Sequence, residues 1–217
     1  MLLIFDCDGV LVDSEMIANR VLAAQLSAIG FPITASQCMK RFVGKWMTDV
    51  VNIVREEGCD VPDDFIAALK VRDKEAFERE LEPMPGVLDV IRDLRHARCV
   101  ASSGSVEKME TTLGLGGLLP YFQPHLFSAS MVKRGKPEPD LFLYAAQQMG
   151  QAAEFCLVIE DSTSGVLAAK RAGMRVWGFG GGSHAKQNPD HETSLRQAGA
   201  ETVFHDMTRL PDMLAEL

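Results

Sequence analysis

Leu2-Leu3-Ile4-Phe5-Asp6-Cys7-Asp8-Gly9-Val10-Leu11-Val12-Asp13-Ser14 opens the chain with four apolar residues, then two carboxylates one residue apart. A continuous apolar run of this kind suits a strand buried on both faces, as in a parallel sheet covered by helices. Gly9 permits a tight turn after it, so that Asp6 and Asp8 can face one pocket. There one carboxylate could serve as nucleophile and metal ligand and the other as general acid and base. Taken alone, a D-x-D pair is more often a loop of solvated acids. An EF-hand cation loop is excluded, because the later ligand positions are wrong.

Similar apolar runs recur, each ending in polar residues. Cys99-Val100-Ala101 leads into Ser102-Ser103-Gly104, and Phe155 to Ile159 leads into Glu160-Asp161. Arg175 to Gly178 leads into a glycine-rich loop, and Thr202-Val203-Phe204 leads into His205-Asp206. Amphipathic stretches at Val87 to Leu94, Val106 to Leu113, Asp140 to Met149 and Ser164 to Ala172 lie between them. This alternation predicts βα units in a doubly wound parallel sheet, an α/β fold of the Rossmann-like kind. Ligands of such sheets bind at the carboxyl ends of the strands, where the polar residues gather.

Residues 15–83 break the rhythm. They read as helices only: Ser14 to Ile29, Ala35 to Phe42, Met47 to Glu57 and Asp63 to Leu81. Thr34-Ala35-Ser36-Gln37 fits a capping box. Pro83-Met84-Pro85-Gly86 returns the chain to alternation. The expected organisation is a core of residues 1–14 and 84–217 with an all-helical insert, 15–83, after the first strand.

The 217 residues are 47% hydrophobic and 24% charged, ordinary values for a globular chain with a core. A formal net charge of -8 repels polyanions, which argues against nucleic-acid or anionic-membrane partners. A bound phosphate would need local cations and backbone N–H groups. The five cysteines are scattered without zinc-site spacing, which suits reduced thiols in a cytoplasmic protein. The N-terminus lacks the basic region of a signal peptide, and no apolar run reaches the ~20 residues of a membrane span. Oligomeric state has no signature, and a monomer is the default expectation.

Two strand ends carrying carboxylates on one sheet edge make a site for a hard cation such as Mg²⁺, with Glu160 and Asp161 joining Asp6. Ser102, Ser103 and Gly104 follow a strand and open a helix, where a hydroxyl and N–H groups can hold an anion; serine there is also a common helix cap. Lys136, in Gly135-Lys136-Pro137-Glu138-Pro139-Asp140, sits in a stiff turn and could act as a point charge on a phosphate. The loop Gly178 to His184 resembles a phosphate cradle but lacks the Lys-Ser/Thr pair of a P-loop, and reads as a flexible connection near the site. No role is assigned to His184.

The order DCDGVLVDS, Ser102, GKPEPDLF and VIEDSTSGVLAAKRAGM resembles the motif series of the haloacid dehalogenase-like hydrolase superfamily, and the insert resembles its C1 cap. RFVGKWMTDVV and KRGKPEPDLF are similar to the β-phosphoglucomutase-like branch, among the 6-phosphogluconate phosphatases. The resemblance implies a Mg²⁺-dependent phosphatase of a small phosphorylated metabolite. By it, Asp6 attacks phosphorus, Asp8 is acid and then base, Ser102 and Lys136 bind the phosphoryl group, and Mg²⁺ is held by Asp6, the Asp8 carbonyl and Asp161, with Glu160 acting through water. Lys45, after Gly44, is the foremost cap residue for the rest of the substrate; Arg134 and Lys133 come next, and Asn19 and Arg20 after them.

A sugar phosphomutase is the nearest rival. Mutases of this branch carry a histidine where Ala18 stands and an arginine where Met47 stands, which favours hydrolysis here. The presence of Asp8 disfavours dehalogenase and phosphonoacetaldehyde chemistry. A non-catalytic binding protein on the same fold would be expected to lose one of these residues, yet the set is complete.

Overall fold

In a computed structural model of the chain, which describes residues 1–42, 45 and 47–217, the opening run Leu2–Phe5 is strand β1, buried at every position. Val43 and Gly44, in the loop expected to present Lys45, and Trp46, in the stretch RFVGKWMTDVV, lie outside the described residues. The further strands are β2 (Ala97–Ser102), β3 (Leu126–Ser128), β4 (Cys156–Glu160), β5 (Arg175–Phe179) and β6 (Thr202–Phe204). The helices are α1 (Glu15–Ala28), α2 (Ala35–Phe42), α3 (Met47–Glu56), α4 (Phe65–Glu80), α5 (Val87–Asp93), α6 (Val106–Leu115), α7 (Asp140–Gln148), α8 (Thr163–Arg171), α9 (Ser183–Lys186), α10 (His191–Ala198) and α11 (Leu210–Ala215).

Among the described residues the strands form one 6-stranded sheet in the order β3-β2-β1-β4-β5-β6, with every neighbour pair parallel. The doubly wound parallel sheet expected from the sequence is therefore the observed fold. β1 is central: Ile4 faces Cys99 of β2 on one side and Val158 of β4 on the other. The chain winds outward from β1 through β2 to β3, then restarts at β4 on the opposite side. That reversal opens a crevice at the carboxyl ends of β1 and β4, the usual ligand position in such sheets.

Each strand residue alternates between the two covered faces. Leu2, Ile4, Cys99, Ala101, Val158 and Val176 join Leu141, Phe142 and Ala145 of α7 and Val166 and Ala169 of α8 in one core cluster. On the opposite face Phe5 meets Phe122 edge to face, with ring centroids 5.8 Å apart. Truncating any of the fully buried large side chains to Ala would cost about 2–5 kcal/mol in lost transfer energy and cavity formation.

The chain divides into two compact units, Met1–Asp13 with Glu82–Leu217, and Ser14–Leu81. The second unit holds α1 to α4 and has its own core of Leu22, Leu26, Phe42, Val54, Phe65, Leu69 and neighbours. Its capping box is formed: Thr34 N donates to Gln37 Oε1 at 2.8 Å, and Gln37 N donates to Thr34 Oγ1 at 3.2 Å. No described helix is long and apolar enough to cross a membrane. All five cysteines are free thiols.

Candidate active site

Phe5 and Ile159 are paired at the ends of β1 and β4, and Asp6 N donates to Ile159 O at 2.9 Å. The next residues on the two strands are therefore brought side by side by the sheet itself. Asp6, Glu160 and Asp161 are all buried, and each offers an oxygen within 4.8 Å of the others. Burial, reinforced by Glu160 and partly offset by Lys136, holds the Asp6 carboxyl well above the usual aspartate range. Burial also raises Asp161, against a hydrogen bond from His184.

Lys136 partly neutralises the cluster. It reaches in from the loop between β3 and α7, with Nζ 2.5 Å from Asp6 Oδ1 and 2.8 Å from Glu160 Oε2. Its side chain is only 3% exposed, and Nζ lies 5.0 Å from the centre of the Phe142 ring. Burial alone would pull the ammonium down, but Asp6 and Glu160 overcome it and raise it above its ordinary value, so it is a fixed charge. The loop is held by Arg171, whose Nη1 donates to Pro137 O at 2.9 Å and to Glu138 Oε1 at 3.0 Å.

The Glu160 carboxylate is fully engaged. Oε1 accepts from Ser162 N at 3.0 Å and Ser162 Oγ at 2.7 Å, while Oε2 accepts from Lys136. A Cβ at Gly165 would lie 2.0 Å from Glu160 Cδ, so only glycine fits there. Three carboxylates against one ammonium leave surplus negative charge on oxygen donors out of water. This donor set fits a hard divalent cation such as Mg²⁺.

Ser102, at the end of β2, is buried and accepts from Gly104 N at 3.0 Å. Ser128 Oγ donates to Gly104 O at 2.7 Å, which shapes the same loop from β3. Ser103 is exposed and Gly104 half-buried. Asp8 joins this group: its Oδ2 accepts from Lys108 Nζ at 2.9 Å, and an added Cβ on Gly104 would be 3.7 Å from that oxygen and 3.4 Å from Ser102 Oγ. Cys7, between the two aspartates, is buried; burial and then Asp8 and Asp6 push its thiol up, so it stays neutral and offers no competing nucleophile.

Other expected residues stand elsewhere. Arg134 pairs bidentately with Asp140, its Nη2 2.7 Å from Oδ1 and its Nε 3.1 Å from Oδ2, on the exposed start of α7. Lys45 is exposed in the helical unit. In that unit Asn19 is buried and donates to Glu15 O at 2.9 Å, and Arg20 pairs with Glu80 at 2.5 Å.

Sequence reading missed three residues. Lys108 lies one turn into α6, whose N-cap Ser105 accepts from Lys108 N at 3.2 Å. Its place after the Ser102 loop was a usable signal, since the first turn of that helix opens on the sheet edge. Asp13 Oδ1 accepts from Ser183 N at 3.2 Å and Ser183 Oγ at 2.7 Å, joining the β1 and β5 loops. His184 Nε2 stands 3.0 Å from Asp161 Oδ2.

A parallel sheet whose central strands end in a buried lysine–carboxylate cluster defines a class, and comparison with known proteins gives the same one. The haloacid dehalogenase-like hydrolase family model matches residues 1–173, and the chain belongs to that family. It is 32% identical over 211 residues to the 6-phosphogluconate phosphatase of Escherichia coli (strain K12), covering 96% of this chain and 92% of that one. A conserved haloacid dehalogenase-like protein from Agrobacterium tumefaciens str. C58 superposes with a TM-score of 0.85 at 38% identity, covering 99% of this chain and 97% of that one. A family hydrolase from Deinococcus radiodurans R1, solved with bound phosphate and sodium, gives a TM-score of 0.79 at 31% identity over 99% of this chain and 95% of that one.

Proposed function

We propose that this chain is a Mg²⁺-dependent phosphatase that hydrolyses a small sugar phosphate or sugar-acid phosphate, with Asp6 as nucleophile. The observation that carries the reading is the buried Asp6 carboxylate, held by Lys136 beside Glu160 and Asp161 at the crevice of a family fold. The 32% identity to a 6-phosphogluconate phosphatase over 96% of the chain supports the substrate class.

Asp6 and Asp161 would hold the cation directly, with the Asp8 carbonyl. Glu160, both of whose oxygens are engaged, would act through water. A bound Mg²⁺ supplies charge neutralisation for the phosphoryl oxygens. The other Asp6 oxygen attacks phosphorus as the bond to the leaving oxygen breaks. Asp8 gives its proton to that oxygen, and an aspartyl-phosphate remains on Asp6. Asp8, now a carboxylate, takes a proton from the water that attacks phosphorus. The phosphorus–Asp6 bond breaks, phosphate leaves, and both aspartates are restored. Lys136 and Ser102 hold the phosphoryl oxygens, with Ser103 and Gly104 N–H groups beside them. Lys108, whose Nζ donates to Asp8 Oδ2 at 2.9 Å, helps place that carboxyl for the two proton transfers.

A panel of phosphate esters tests this, with phosphate release followed in Mg²⁺ and after chelation. Metal-dependent release from 6-phosphogluconate or a related sugar phosphate is the expected result. Isomerisation of a sugar phosphate without phosphate release would replace the reading with a mutase.

A further inference from the structure

The Gly180 to Gly182 segment is buried and close-packed, in contrast to the flexible connection expected from its glycines. Gly180 to Gly182 are all buried. A Cβ on Gly180 would lie 2.4 Å from the His205 ring, and one on Gly181 would lie 2.3 Å from the Phe179 ring. The segment therefore has one tightly determined path from β5 into α9. That path delivers His184 to Asp161, with Nε2 at 3.0 Å from Oδ2. Gly9, on the β1 loop, closes the other side. It has φ +78°, and a Cβ there would be 1.9 Å from Asp161 Oδ2 and 2.9 Å from the His184 ring. Ser183 ties the same segment to Asp13 by two hydrogen bonds.

His191 completes the arrangement. Its Nε2 is 2.7 Å from Asp161 O. A carbonyl only accepts, so the His191 proton is on Nε2. The two rings pack edge to face, with centroids 5.4 Å apart at 81°. Asp161 is thus gripped at its carbonyl by α10 and at one carboxylate oxygen by α9. The same carboxylate offers an oxygen within 4.8 Å of those of Asp6 and Glu160. Among the described residues His184 is not part of the group of three whose ligand atoms converge.

We infer that His184 is a positioning residue for the cation site: it fixes the Asp161 carboxylate in the orientation that binds a divalent cation, with His191 and the glycine segment holding the assembly in place. This rests on the cation-dependent reading above. The physical reason is preorganisation: a ligand carboxylate free to rotate loses conformational entropy when it binds, whereas one held by a partner has already lost it. Groups that orient ligands from behind typically contribute 10–100-fold in affinity.

The test is the affinity of purified protein for Mg²⁺ alone, measured by calorimetry, with the melting temperature recorded without metal. His184→Ala is expected to weaken Mg²⁺ binding by about 10–100-fold. His184→Gln, whose amide nitrogen can stand in for Nε2, is expected to bind within a few-fold of the parent. Asp161→Asn is the control that removes a ligand. Should the parent bind Mg²⁺ no better than Asp161→Asn, the cation reading itself fails. If the parent binds, Asp161→Asn does not, and His184→Ala matches the parent, only the positioning role is overturned. If His184→Ala does not fold, His184→Gln decides alone. Parent-like binding upholds the role, and loss of binding at an unchanged metal-free melting temperature overturns it.

Discussion

Lys136 and Asp6 form a buried ion pair, Nζ to Oδ1 2.5 Å, across a sequence separation of 130 residues. The pair is desolvated on both sides, and the same nitrogen also serves Glu160 at 2.8 Å. Removing one partner of a buried pair leaves the other charge uncompensated, at a cost of about 3–5 kcal/mol. Lys136→Met should therefore lower the melting temperature of the metal-free protein markedly, with part of the loss recovered by Mg²⁺. Calorimetry in chelator and in excess Mg²⁺ checks this; a variant as stable as the parent in chelator would show that the ammonium does not hold the cluster.

The stability of the metal-free protein should fall as pH rises. Asp6 and Asp161 have carboxyls raised above the ordinary 3.8 by burial, so the folded state retains protons the unfolded chain has lost. Stability then declines from near pH 3.8 upward through those raised values. A divalent cation binds the ionised carboxylates, so the melting-temperature increase from Mg²⁺ should grow over the same interval. Melting curves with and without Mg²⁺, from about pH 4 to about pH 8, test the sign. An increment that shrinks as pH rises would contradict it.

Lys108→Met separates activity from stability. The Lys108–Asp8 pair is partly open to solvent, with side chains 34% and 14% exposed, and such pairs contribute about 0–1 kcal/mol. Melting temperature should barely move. Turnover should fall by about 10-fold or more, because a positioned acid and base contributes about 10²–10⁴-fold and Lys108 helps place Asp8. Unchanged kcat on the preferred substrate would remove Lys108 from the mechanism.

The fold was legible where its signals were long. β1 and β4 are four- and five-residue runs buried at each position, and their apolar continuity stands in the sequence. The four helices of the Ser14–Leu81 unit match the expected stretches to within two residues at their ends. β3, Leu126–Ser128, three residues on a sheet edge, went unread, whereas the equally short edge strand β6 carries β-branched Thr202 and Val203 and was read. α10 escaped too: of its eight residues only Leu195 is buried, which leaves no apolar stripe to read. At the site, carboxylates following strands announced themselves. The Lys108–Asp8 pairing and the His184–Asp161 contact did not, since both depend on where loops return in space. The glycines of the β5 loop were ambiguous for a physical reason: a glycine needed for close packing and one in a mobile loop look identical in sequence.

The most direct measurement is steady-state phosphate release from 6-phosphogluconate in Mg²⁺ by the parent and by Asp6→Asn, paired with metal-free melting curves. Asparagine preserves the shape of Asp6 but removes the nucleophilic oxygen. The expected result is Mg²⁺-dependent release by the parent, abolished in a variant that still folds. Turnover by folded Asp6→Asn near the parent rate, or release that persists after the metal is chelated, would contradict an aspartate nucleophile working with a divalent cation.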